Sequence, residues 1–219
     1  MSEPSATTPK LVRAGLGACA GALTVHMVSS LMCQCLNSAV LPRFAGSIDD
    51  LGSAFELSSM ISMGLFGVLM LVVAAGAGLM ATSTKESTGR VMAAATALTA
   101  LTTIAISVYQ RFFSPITTPI DGPDWGANLL AAVGFPTTLA LLAWSAGLCS
   151  GRGHRPILVA FVWVPAFIAN MVFPLMMATV SSPESIHYMA ANAVYMLMTL
   201  FATALCLLAG LLPPLTQDT

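Results

Sequence analysis

The chain has 219 residues, 57% hydrophobic and 8% charged, with a mean hydropathy of +0.85 and a formal net charge of −1. A soluble domain carries about 25% charged residues, so the composition excludes a globule with a water-covered surface, and nothing in it calls for a nucleic-acid partner. Strands of a membrane barrel would alternate apolar and polar residues with period two. No such alternation is present, which leaves helices as the way to satisfy the backbone inside lipid.

In chain order, residues 1–9 form a Ser/Thr/Pro-rich tail with too little apolar surface to fold. Six hydrophobic segments follow, at 14–36, 57–82, 91–113, 127–149, 157–179 and 190–212. Crossing the hydrocarbon takes roughly 20 apolar residues at 1.5 Å each. The reading is an all-α, polytopic membrane protein, a bundle of six transmembrane helices over 10–213 with a short tail at 214–219. Gly- and Pro-containing turns punctuate it, among them Asp121-Gly122-Pro123-Asp124 and the run from Gly151 to Pro156. The first segment is too long for the apolar region of a signal peptide. Leu16-Gly17-Ala18-Cys19 imitates a lipoprotein cleavage box, but only Ala14 and Gly15 separate it from Arg13, so the apolar stretch such a box requires is missing.

Lys and Arg set orientation. Lys10, Arg13, Lys85, Arg90, Arg152 and Arg155 fall on one side of a six-span chain, and Arg43 and Arg111 on the other. Both termini are therefore expected in the cytoplasm. Asp49, Asp50, Glu56, Asp121, Asp124 and Glu184 collect on the outer side. The Ala/Gly-rich spans and short connections suit a bacterial inner membrane.

Helices in lipid associate through small residues. Gly17 and Gly21 have GxxxG spacing in the first span, Gly64, Gly67, Gly76 and Gly78 lie in the second, and the third carries Thr96, Thr99, Thr102 and Thr103. These suit a tight bundle with small residues at its seams; the alternative, a face between two copies, uses the same spacing. Pro136 in the fourth span and Pro165 and Pro174 in the fifth each remove a backbone donor and favour kinks. Asn170 lies between the last two prolines, where it either hydrogen-bonds a neighbouring helix or lines a small cavity.

Cys33 and Cys35 lie one residue apart in Ser29-Ser30-Leu31-Met32-Cys33-Gln34-Cys35. On a regular helix they point about 200° apart and cannot hold one ion. His26, Ser30 and Cys33 share a stripe, with Met60 and Met63 at matching depth on the second span, a soft set of the kind Cu(I) prefers. Met and Cys are also ordinary fillers of apolar cores, and no metal site is assigned. His26 is the ionisable residue deep inside a span. Such groups are expensive in lipid and mark ligand or proton sites, although a hydrogen-bonded structural histidine fits the same position.

The outer polar set of Glu56, Arg111, Asp121, Asp124, Glu184 and His187 forms either solvated loop charge or a mouth for a cation or lipid headgroup. HExxH, GxSxG, P-loop and DDxxD patterns are all missing from the sequence, so neither a cofactor nor a catalytic residue is assigned. The candidate ligand-binding residues are His26, Glu56, Arg111 and Asn170.

Ser47-Ile48-Asp49-Asp50-Leu51-Gly52, and the stretch from Phe113-Ser114-Pro115 to Asp121, resemble the loops after the first and third spans of an uncharacterised six-span bacterial integral membrane family. The resemblance covers about the middle half of the chain. It departs where that family often carries a histidine at the start of its fourth span, since Ala127-Asn128 stand there. It implies topology and no activity.

Three function classes follow. The first is a non-enzymatic multi-pass protein that binds or passes a small molecule, ion or lipid through a cavity open to the outer side. The second is a membrane enzyme acting on a lipid or terpene-like substrate with an outer carboxylate as general acid. The third is an accessory subunit. Membrane lipid is the expected partner, together with a second copy or another membrane protein.

Overall fold

A computed structural model describes residues 10–36, 48–112, 125–151, 156–179 and 186–211. Among them the chain is all helical: α1 (Lys10–Cys35), α2 (Ile48–Ser83), α3 (Ser87–Phe112), α4 (Trp125–Cys149), α5 (Pro156–Thr179) and α6 (Ile186–Leu211). Four helices are long and apolar enough to cross a membrane, over Lys10–Cys33, Glu56–Ser83, Ser87–Gln110 and Ala132–Cys149. In α5 and α6 the described apolar stretches are shorter, Ile157–Met171 and Ala193–Cys206.

α2 starts at Ile48, well before the apolar segment inside it. The Asp49-Asp50 pair, which reads as part of a connection in the sequence, therefore belongs to the first turn of a 36-residue helix.

α1 and α2 pair antiparallel from Gly15–Gly76 at one end to Cys33–Ser58 at the other. Gly15 lies against Gly76, the Cys19 thiol donates to the Val73 carbonyl at 3.5 Å, the His26 ring meets Phe66, and Cys33 Sγ lies 3.3 Å from Ser58 Oγ. Each step along α1 is matched by an equal step back along α2. The seam is set by Gly15, Cys19 and Gly76. A Cβ on Gly76 would come within 2.7 Å of both Cys19 Sγ and the Gly15 carbonyl oxygen. Gly17 and Gly21 are exposed, with open space where a Cβ would go, and Gly64, Gly67 and Gly78 are likewise uncrowded. The GxxxG pair thus faces away from the bundle, and the small residues two positions earlier make the contact.

α4 is the hub. Buried residues make up 72% of its apolar window, against 17–33% in the other three spans. It meets α1 through Phe135 and His26, and α2 through Phe135 and Phe66. It meets α3 through Ser145 and Thr96, α5 through Thr137 and Trp163, and α6 through Leu139 and Cys206. Pro136 sits inside α4 without ending it. Two ends are closed locally: Arg90 donates to the Thr84 carbonyl after α2, and Gly151 takes φ +68° after α4, the left-handed position that glycine adopts without a Cβ penalty.

Candidate functional site

His26 lies sixteen residues into α1, about 24 Å from its start at 1.5 Å per residue. The pairing of α1 with α2 brings it to Phe66, and the central position of α4 brings Phe135 to both. Ring centroids are 5.3 Å apart for His26 and Phe66, 5.6 Å for His26 and Phe135, and 5.7 Å for Phe66 and Phe135. All three pairs are tilted or edge-on, the arrangements aromatic quadrupoles favour. A half-buried imidazole is thus held where three helices meet. Neutral, it is a large side chain closing the junction. Charged, it would face two aromatic rings that attract a cation.

Asn170 lies on α5, and its amide Nδ2 donates to the Ala166 carbonyl one turn back at 2.7 Å. That bond stays within α5. One face of α5 is nevertheless tied to α4: Trp163 Nε1 donates to Thr137 Oγ1 at 3.2 Å, and the Trp163 ring stacks on Phe167 at 4.6 Å. Pro165 lies between the two stacked residues and leaves the Phe161 carbonyl without its helical donor.

Glu56 is exposed at the start of the α2 apolar window. Arg111 is in the last turn of α3, and its side chain lies outside the described residues. Asp121, Asp124 and Glu184 also lie outside them, as do Arg152 and Arg155, and of His187, in the first turn of α6, the side chain does. His26 and Asn170 do not share a cluster: the first has its aromatic neighbours on α2 and α4, the second turns onto its own helix.

All five cysteines are thiols. α1 remains helical through Cys35, so Cys33, half-buried against Ser58, and Cys35, exposed, point apart and cannot chelate together. Met60 is exposed. Among the described residues no group of three His, Cys, Asp or Glu could hold a metal ion. The other three thiols play a part that spacing does not reveal. Cys19, Cys149 and Cys206 are buried, and each donates to a carbonyl of a neighbouring helix: Val73, Gly89 and Leu139.

No protein-family model, curated protein or solved structure matches the chain. The His26–Phe66–Phe135 junction is missed in sequence because its members lie on three helices.

Proposed function

We propose that this chain is a six-span protein of a bacterial inner membrane, with both termini cytoplasmic, that binds or passes a small molecule, ion or lipid, with His26 as its intramembrane ligand group. The observation that carries the reading is the imidazole held at the α1–α2–α4 junction by Phe66 and Phe135. Keeping an ionisable group there costs stability that an aliphatic side chain would not. α5 and α6, of 24 and 26 residues, are long enough to complete six crossings, and the placement of Lys10, Arg13, Lys85 and Arg90 at one end supports the orientation. Asn170 and an outer mouth with Glu56 and Arg111 belong to the same reading, as does the likeness of the connections to those of a six-span family.

Native mass spectrometry of the protein extracted in mild detergent tests it. The expected result is a retained ligand mass that disappears in His26→Phe, a variant that keeps a ring at the junction. A bare 22.7 kDa chain, or a retained mass indifferent to that substitution, would overturn the assignment of His26. The enzymatic alternative needs carboxylates converging on an inward pocket, and Glu56 is exposed.

A further inference from the structure

The end of the bundle where α1 begins and α2 ends carries a concentration of positive charge. Lys10, Arg13, Lys85 and Arg90 are all exposed there, with Glu86 as the acid beside them. The α1–α2 pairing fixes their relative depth. With Gly15 opposite Gly76, Lys10 is level with Ala81 or Thr82 near the end of α2, Lys85 lies in the link just past that end, and Arg13 lies about one turn deeper. Arg90 is held at the level of the link by its bond to the Thr84 carbonyl, 3.1 Å long. The cations therefore occupy a belt from the link to about one turn inside it, on the order of 5–10 Å deep. The headgroup layer on each side of a bilayer is of similar thickness, roughly 5–8 Å.

Apolar surface borders the belt. Leu11, next to Lys10, is 55% exposed, and Val91, next to Arg90, is 59% exposed. A water-soluble polyanion would meet the cations but leave these side chains uncovered. A molecule with an anionic head and hydrocarbon tails fits both. Cys149, at the end of α4, touches Gly89 at this same end.

We infer that this belt selects anionic phospholipid headgroups, so that the protein gathers a shell of acidic lipid around the α1 start and the α2–α3 link. The inference needs the bundle to lie in a bilayer and is independent of any ligand at His26. A cation near a membrane surface contributes a preference of about fivefold for anionic lipid.

The test uses full-length protein in a zwitterionic detergent, offered equimolar phosphatidylglycerol and phosphatidylcholine, with retained lipid counted by native mass spectrometry. The expected result is preferential retention of phosphatidylglycerol, lowered at least fivefold in the triple variant Lys10→Gln, Arg13→Gln, Lys85→Gln and weakened for the unaltered protein at high ionic strength. Helix melting of the triple variant should match the parent, because all three side chains are exposed. Equal retention of both lipids, or an undiminished preference in the triple variant, would overturn the inference. Displacement of the lipid by millimolar inorganic phosphate that is itself retained would replace it with a free-anion site.

Discussion

The Gly15 carbonyl of α1 and Gly76 of α2 are so close that a Cβ on Gly76 would come within 2.7 Å of that oxygen. The obstacle is backbone, which cannot swing aside as a side chain would. Gly76→Ala should therefore separate the helices, at a cost of about 1–3 kcal/mol. Gly17→Ala and Gly21→Ala meet open space and should leave stability unchanged or raise it by up to about 1 kcal/mol through helix propensity. Thermal melting of the three variants in one detergent would show the contrast. Equal melting temperatures would mean that the α1–α2 seam is misplaced.

Thr103 and Thr138 face each other across α3 and α4 with oxygens 3.4 Å apart. Each hydroxyl has one proton, and each donates to its own helix, Thr103 to Thr99 at 2.8 Å and Thr138 to Gly134 at 3.0 Å. Little is left for the bond between them. A double-mutant cycle with Thr103→Val and Thr138→Val should give a coupling below about 0.6 kcal/mol, the average for interhelical hydrogen bonds in membranes. A coupling above 1 kcal/mol would show that one hydroxyl turns to the other.

The thiols divide into two groups. Cys35 is exposed at the far end of α1, whereas Cys19, Cys149 and Cys206 are buried and bonded to carbonyls. A membrane-impermeant maleimide added outside intact cells should label Cys35 in a variant that keeps it as the sole cysteine. The same reagent should miss Cys149, at the opposite end of the bundle, until the protein is denatured. Labelling of Cys149 from outside would reverse the proposed orientation.

His26 gives separate predictions for shape and for chemistry. His26→Ala loses two ring contacts, each about 0.5–1.5 kcal/mol beyond the area they bury, and should melt measurably lower. His26→Phe should recover that stability without recovering any ligand held by the imidazole. If His26→Phe melts as low as His26→Ala, the ring is not closing the junction.

Much of the helical layout is legible in the sequence because lipid imposes one rule on every span. The left-handed turn at Gly151 is legible for a local reason, since glycine between a helix and a run to proline marks a C-terminal cap. The α1 seam is not legible. Gly17–Gly21 and Gly15–Cys19 have the same spacing of small residues, and the choice between them is made by Gly76 on another helix. The early start of α2 is obscured because Asp49 and Asp50 read as charge in a connection, whereas the helix already runs through them. His26 stands out as an ionisable residue in a span, but Phe66 and Phe135 are among ten phenylalanines, and the fold alone picks them out. Asn170 is conspicuous in sequence and turns out to bond within its own helix.

The hub position of α4 has a consequence in time. The chain is made from its N-terminus, so α1, α2 and α3 exist before the helix they all touch. Until α4 arrives, the α1–α2 pairing, begun at Gly15 and Gly76, must hold with α3 alone beside α2, while the α3 face bearing Thr96 and Thr103 waits without its partner. α5 and α6 then join an assembly whose centre is already in place. A defect at Gly76 would therefore act early, on a half-made protein, and a defect at Thr137 or Leu139 would act late, on a nearly finished one.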